Sequence, residues 1–487
     1  MLAVTIGRVV EILDWFMIAY FGSLALICTL LTAVGWRAVE DYVRRRPMRD
    51  YRWVGQSPMS LPVSILAPAY NEGPVIVPAM KALMASQFVN FEIIVINDGS
   101  KDDTMEQLKQ GFGLVPANRV PRSNLKTKEV KGVWASPTES RLVVLDKENG
   151  GKADALNAGL RYARNPLVCA IDADTILDPG ALSRLVWEFQ SNPDTVATGG
   201  IVRIVNGSLV EDGRVVQVRT PKSMIANIQI LEYLRAFLGA RVGWSKLQMV
   251  LIISGAFGLF RRESVIEAGG YDTSTVGEDA ELVLRLHRLH RETGRPCRIT
   301  FFPDPICWTE APGTLKQLVR QRDRWQRGLI EMLSRHRKML FNRRYGRIGM
   351  VAMPYFVVFE LLGPIVECVG LLALIVSLVF GYSSPLVLAL MAGLSITYGF
   401  VLSFVAILME ERAFRRYPGW RCLSRLVLAA FVENVGYRQL MTFVRARAWW
   451  TYRRSAHVWG EMTRAGFGPS PSTAPAPVPA PEPVAAA

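Results

Sequence analysis

Leu167-Val168-Cys169-Ala170-Ile171-Asp172-Ala173-Asp174 is the stretch that decides how this chain is read. Five apolar residues run into two aspartates with one alanine between them. A short apolar run bounded by polar residues reads as a strand buried on both faces of a parallel sheet. Open α/β sheets bind ligands beyond the C-terminal ends of such strands, where the strand order reverses. Two carboxylates crowded there repel each other unless a cation sits between them and an anionic ligand. Their hard oxygens suit Mg²⁺ or Mn²⁺, which in turn hold diphosphates. Asp is also common in turns, so Asp-x-Asp alone is a weak signal and the flanking segments must carry the rest.

Upstream, Val63–Tyr70 reads as a strand, Pro74–Ser86 as a helix and Phe91–Asp98 as a second strand. That spacing of about 30 residues is one βαβ unit. Gly99–Thr104 turns into another helix, with Ser100 and the aspartates after it as caps. Gly111–Ser140 is polar, basic and aperiodic, and is expected to be a surface loop. Leu142–Asp146 reads as a third strand, Lys152–Ala163 as a helix, and Thr195–Val205 and Leu251–Phe260 as further strands. Residues 61–335 therefore form an α/β domain.

The totals fit a soluble domain joined to a few membrane spans. Of 487 residues, 50% are hydrophobic and 20% charged, and the mean hydropathy is +0.19. The net charge of +15 raises nucleic acid as a partner. The arginines, however, flank apolar segments, which fits the cytoplasmic side of a membrane and its lipids, and no nucleic-acid partner is expected. The six cysteines are scattered without a CxxC spacing and read as reduced thiols. Of the four histidines, only His287 and His290 lie close together, and they are expected on the surface of an Arg-rich helix.

Trp15–Val34 is uncharged and long enough to span a bilayer. Arg37, Arg44, Arg45, Arg46, Arg49 and Arg52 follow it, which places the N-terminus outside and the next segment inside. Tyr355–Phe380 and Leu386–Met409 read as two more spans joined by an external turn. Glu360 and Glu367 are costly in lipid and are expected to face a polar path or the α/β domain. Leu423–Val444 is expected to lie on the cytoplasmic face, and Pro469–Ala487 to be a disordered Pro/Ala tail.

Further chemistry falls along the same predicted sheet. Glu72 follows the first strand and Asp98 ends the second; either acid can accept from a base or ribose, or simply cap its helix. Gly150-Gly151-Lys152 offers backbone approach and a cation for a diphosphate at a helix N-terminus. Ser254-Gly255-Ala256-Phe257 lets backbone approach a sugar as readily as it packs. Gly277-Glu278-Asp279 opens a helix, where an acid can serve as general base or only complement the helix dipole. Gln321-Arg322-Asp323-Arg324-Trp325 combines phosphate-holding arginines with one ring suited to a sugar face.

Taken as an ordered set, Ala69-Tyr70-Asn71-Glu72, Asn97-Asp98-Gly99-Ser100, Gly151-Lys152, Asp172-Ala173-Asp174, Gly277-Glu278-Asp279 and Gln321–Trp325 resembles the family 2 glycosyltransferases. Within them it is similar to the membrane-embedded branch of cellulose, hyaluronan, chitin-oligosaccharide and poly-N-acetylglucosamine synthases. The resemblance covers about residues 60–335. It implies a GT-A fold set between transmembrane helices and an inverting transfer from a UDP-sugar to a growing polysaccharide. It also implies Tyr70, Glu72, Asp98, Lys152, Asp172, Arg322 and Arg324 as donor-binding residues. Asp172 and Asp174 would hold Mg²⁺ or Mn²⁺, Asp279 with Glu278 would be catalytic, and Gln321 and Trp325 would meet the acceptor. The base motif departs from cellulose synthases in having Gly277 where those often have Thr.

The expected organisation is an anchor at 1–36, a cytoplasmic linker at 37–60, the GT-A domain at 61–335, interfacial and transmembrane helices at 336–460 and a tail at 461–487. The expected setting is the inner membrane, multi-pass, with the catalytic domain cytoplasmic and export proteins as partners. Two rival readings are transfer of a single sugar to a lipid-linked acceptor and a non-catalytic membrane scaffold. Asp98, Asp172, Asp174 and Asp279 together argue against the scaffold, which has no use for all of them.

Overall fold

The computed structural model describes residues 2–172, 175–211, 213–381, 385–417 and 419–454. The expected tail at 461–487 and residues 382–384 of the expected external turn lie outside the described residues.

Twelve strands are numbered in chain order: β1 (Val63–Ala69), β2 (Phe91–Asp98), β3 (Val115–Pro116), β4 (Val130–Ala135), β5 (Leu142–Lys147), β6 (Leu167–Ile171), β7 (Ile176–Leu177), β8 (Thr195–Ile204), β9 (Leu209–Glu211), β10 (Arg214–Gln217), β11 (Phe257–Arg261) and β12 (Arg298–Thr309). Among the described residues, ten form one mixed sheet in the order β3-β4-β5-β2-β1-β6-β11-β8-β12-β7, and β9 pairs with β10 separately. β5, β2, β1 and β6 are parallel neighbours. β11 runs antiparallel to both β6 and β8.

β1, β2 and β6 are buried almost throughout, as continuous apolar runs covered on both faces must be. The chain steps from β1 to β2 on one side and reaches β6 on the other. The strand order therefore reverses between β1 and β6, and their C-terminal ends frame a crevice. Tyr70, Asp98 and Asp172 stand at the ends of β1, β2 and β6.

Four expectations on this half need correction. Gly111–Ser140 is not all loop: β3 and β4 extend the sheet at its edge, β4 antiparallel to β5. β3 is only two residues long, and β4 carries Lys131 and Gly132 within it, so neither shows a clear apolar periodicity. Leu251–Phe260 is strand only from Phe257; the residues before it reach the crevice as irregular chain. The Lys152 helix ends at Tyr162. His287 and His290 are buried, not surface, and hydrogen-bond the carbonyls of Val250 and Pro296, each at 2.9 Å.

The helical half also differs from expectation. One helix runs over Leu2–Arg45, through the boundary expected at residue 36. Its 44 residues span about 66 Å, roughly twice the hydrocarbon core of a bilayer. Val39 and Tyr42 near its end are buried, so the expected linker is packed structure. Tyr42 donates to Asp304 on β12 at 2.8 Å. Higher up, the helix crosses Leu234–Lys246 so closely that a Cβ on Gly35 would stand 2.4 Å from the Gly239 carbonyl oxygen, and one on Gly243 would stand 2.5 Å from that of Leu31. Small residues permit such backbone contact.

Among the described residues, Glu11–Met48 and Gly363–Phe380 are long and apolar enough to cross a membrane. The second starts at Gly363, not Tyr355, because a π-helical segment and Pro364 interrupt the run. Leu386–Met409 lies within the helix Pro385–Ala413. Glu410 on that helix pairs with the fully buried Arg203 of β8 at 2.5 Å, tying helix to sheet. Leu423–Val444 is not one helix: Trp420–Val432 and Arg438–Arg454 are separated by a break at Val435 and Gly436, where Gly436 takes φ +89°. A positive φ is open to glycine and stops the run. The second piece packs against Leu315–Arg335 and Gly363–Phe380.

Candidate active site

The donor side of the crevice is built by loops that hold each other. Asn71 adopts the left-handed conformation, φ +56°, which Asn tolerates better than most residues. Its side chain accepts from Lys101 N at 2.8 Å, and its own N–H donates to Ser100 Oγ at 3.0 Å. Glu72 N donates to Thr104 Oγ1 and Gly73 N to Asp102 Oδ2. Tyr70, 38% exposed, is left facing the cavity.

Asp98 is nearly buried, and its carboxylate has its own tasks. Oδ1 accepts from Lys147 Nζ at 2.5 Å and from Gly150 N at 3.0 Å; Oδ2 accepts from Gly151 N at 2.8 Å. It therefore fixes the glycine turn that the sequence reading assigned to a diphosphate. Lys147 is fully buried and also pairs with Asp154 at 2.7 Å. Sequence reasoning missed Lys147. The available signal was register: Lys147 lies opposite Asp98 in the β2–β5 pairing, and an end-of-strand lysine beside an end-of-strand acid is a buried pair in waiting.

At the centre, Lys152 Nζ lies 2.5 Å from Asp172, 3.6 Å from Glu278 and 3.3 Å from the Gly255 carbonyl. Burial alone would make its ammonium easier to deprotonate. Asp172 and Glu278 more than reverse that, so it holds its proton more tightly than a free lysine. Here the lysine expected on a diphosphate serves as counter-ion to two carboxylates. Asp279 Oδ1 accepts from Ala280 N at 2.8 Å, while Oδ2 faces Gly255. Both acids sit in the first turn of Glu278–Glu292, where the helix dipole favours negative charge.

Glu278 is pushed up to about 7 by burial, with Lys152 opposing and Asp279 adding to the shift. Protonated Glu278 therefore favours the folded form. That stability is fully present below the ordinary value of 4.5 and is lost as pH rises through about 7. Glu278→Gln is expected to flatten the slope of melting temperature against pH between about 5 and 7. A slope equal to wild type would remove Glu278 as its source.

The acceptor side is carried by Leu315–Arg335, which starts with a Thr314–Gln317 capping box. Trp325 is 43% exposed. The Arg322 guanidinium lies over its ring at 4.4 Å and pairs with Glu232 at 2.5 Å, and Tyr437 also donates to that carboxylate at 3.2 Å. Arg322 lines the cavity, and among the described residues its guanidinium is held by Glu232 and Trp325. Asp323 pairs with Arg327 and accepts from Thr451, away from the crevice. Gln321 Oε1 is buried without a hydrogen-bond partner among the described residues.

One cavity of about 1680 Å³ is lined by Tyr70, Glu72, Asp98, Lys152, Asp172, Glu278, Asp279, Gln321, Arg322, Arg324 and Trp325. Asp174 lies outside the described residues. The cavity continues past Gln326 to Glu360, Glu367, Thr442 and Arg445. Glu360 pairs with Arg445 at 3.2 Å and Glu367 accepts from Thr442 at 2.5 Å, so both acids face a polar path, as their cost in lipid predicts.

A family model described as "Glycosyl transferase family group 2" matches residues 167–404, and one described as "Glycosyl transferase family 2" matches residues 64–120. The chain belongs to the family 2 glycosyltransferases. Both matches fall on the strands and loops that surround this cavity. Poly-beta-1,6-N-acetyl-D-glucosamine synthase of Staphylococcus aureus (strain COL) is 31% identical over 274 residues, 56% of each chain. The protein of the same description from Staphylococcus epidermidis is 29% identical over 273 residues. This family 2 chain thus spans just over half the length of the curated relatives it matches. Among solved structures, the mannosyltransferase PcManGT from Pyrobaculum calidifontis, in complex with GDP-Man and Mn²⁺, has 19% identity and a TM-score of 0.48, covering 85% of this chain and 99% of its own.

Among the described residues of this glycosyltransferase, no group of three or more His, Cys, Asp or Glu is arranged to hold a metal ion. Asp172 presents a hard carboxylate, 26% exposed, to the cavity. That fits a magnesium-like ion, which is commonly held by one or two carboxylates and takes its other oxygens from phosphates and water.

Proposed function

We propose that this glycosyltransferase moves a sugar from a UDP-sugar to a growing polysaccharide with inversion, at the cytoplasmic face of the cell membrane. The observation that carries the reading is the single cavity joining the strand-end donor residues to Asp279, Trp325 and the polar path between helices. A product that leaves along such a path keeps its end at Trp325 and can be the next acceptor. The names of the matched relatives favour N-acetylglucosamine as the sugar.

In this reading the acceptor hydroxyl gives its proton to Asp279 as it attacks the anomeric carbon from the face opposite UDP. No second carboxylate nucleophile is needed, so the configuration inverts. Asp172, with Asp174, would hold Mg²⁺ or Mn²⁺, which supplies charge neutralisation to a departing diphosphate. Arg324 adds positive charge to the same cavity, where it is worth more than in water. Tyr70 and Glu72 line the nucleotide end. Glu11–Met48 and Gly363–Phe380 seat the enzyme in the bilayer, next to lipids and export partners.

The test is a panel of UDP-sugars with the purified full chain, following UDP release and product size. A ladder or high-mass polymer supports the reading. A single sugar on a lipid acceptor replaces it with single transfer, and no UDP release from any donor overturns it. Trp325→Ala is expected to shorten the product and lower transfer about 2- to 10-fold, the range for losing one aromatic stack. UDP affinity should hold; a matching loss of UDP affinity would move Trp325 to the donor side.

A further inference from the structure

We propose that Glu331 is a positioning residue for the Asp279 carboxylate, a role that rests on the transfer reaction proposed above. Gly328, Glu331 and Arg335 are spaced i, i+3 and i+7, which puts them on one face of Leu315–Arg335. That face meets Asp272–Gly277, the segment leading directly into Glu278 and Asp279. Arg335 pairs with Asp272 and donates to the Ser274 carbonyl at 2.7 Å. Glu331, nearly buried, accepts through Oε2 from Thr275 Oγ1 at 2.6 Å and from Val276 N at 2.9 Å. The Thr275 hydroxyl in turn accepts from Gly277 N at 3.2 Å.

Gly277 is the end of this chain of bonds and the start of the next. Its carbonyl accepts from Glu281 N at 3.0 Å, closing the first turn that carries Asp279. A Cβ on Gly277 would stand 3.1 Å from Gly328 Cα, and one on Gly328 would stand 3.1 Å from Gly277 Cα. Gly277, the departure from the Thr of cellulose synthases, is thus matched by Gly328 across a backbone contact. The two glycines set the distance between helix and turn, and Glu331 sets the turn's orientation. Gln321 and Trp325 sit on the same helix, so one rigid element places both the acceptor grip and the base. A base displaced by about 1 Å loses about 10²-fold in rate.

The experiment compares Glu331→Leu, Glu331→Gln and Thr275→Val in the full chain, with UDP-N-acetylglucosamine as donor probe and UDP binding measured by calorimetry. Glu331→Leu is expected to lower kcat about 10²-fold with the donor KM within about twofold of wild type. Glu331→Gln keeps an oxygen for both donors and is expected to recover kcat to within about fivefold. A merely structural role would move UDP affinity along with kcat and would not be rescued by Gln. Unchanged kcat in Glu331→Leu, or parallel loss of kcat and UDP affinity, overturns the assignment. If Glu331→Leu does not fold, Thr275→Val decides: lower kcat at unchanged KM supports the role, and wild-type kcat overturns it. A wild-type protein inactive with every UDP-sugar is a different result; it removes the transfer reaction, and Glu331's role with it.

Discussion

Asp279→Asn is expected to lower sugar transfer by about 10²–10⁴-fold while UDP affinity stays within about twofold of wild type. The amide keeps the size of the side chain and one oxygen for Ala280 N, so the helix start stays formed. It removes the basic lone pair that takes the acceptor proton. UDP binding needs no proton acceptor, and the strand-end residues that line its part of the cavity are untouched. Single-turnover transfer and calorimetric UDP titration read the two quantities separately. A parallel loss of both would reassign Asp279 to the donor site, and retained turnover would end its role as base.

Lys147→Met is expected to destabilise the fold by about 3–5 kcal/mol, the range for removing one partner of a buried ion pair. Lys147 lies between Asp98 and Asp154 with no solvent exposure. Met fills the volume but leaves two nearly buried carboxylates facing each other. Asp98 then loses its hold on Gly150 and Gly151, so the donor turn loosens along with the core. Thermal unfolding in detergent should show a fall in midpoint, and UDP affinity should fall with it. Unchanged melting would mean that Asp98 and Asp154 take up protons or water at small cost. Lys147→Arg, which keeps the charge but not the fit, should fall between the two.

Which features could be read from the sequence follows from the range of the interactions involved. β2 begins at Phe91 and ends at Asp98 as expected, because a buried parallel strand writes its whole length as apolar residues. The placing of Asp172 at a strand end followed from the same rule. The crevice residues were nameable as a set because they sit at strand ends and helix starts, which are local features. Glu232, Tyr437 and Lys147 escaped because each is defined by its partner: Glu232 meets Arg322 across 90 residues, and Tyr437 meets Glu232 across 205. β4 escaped because Lys131 and Gly132 interrupt its apolar pattern, and the break at Gly436 because one glycine in an apolar run reads as a tolerated defect. The Arg322–Glu232 pair was out of reach for a related reason: an arginine's chemistry is legible in sequence, but which carboxylate it meets is not.

The long first helix also bears on the order in which the protein takes shape during synthesis. Its contacts are with Gly239, Gly243, Asp304 and, through Tyr20, the carbonyl of Val358. All of these leave the ribosome long after Arg45. At about 5–20 residues per second, Asp304 follows Tyr42 by roughly 13–52 s. The strands β1, β2, β5 and β6 have all been synthesised well before that. The first helix made is therefore among the last elements to seat, and the time it waits unpaired is set by translation, not by its own folding.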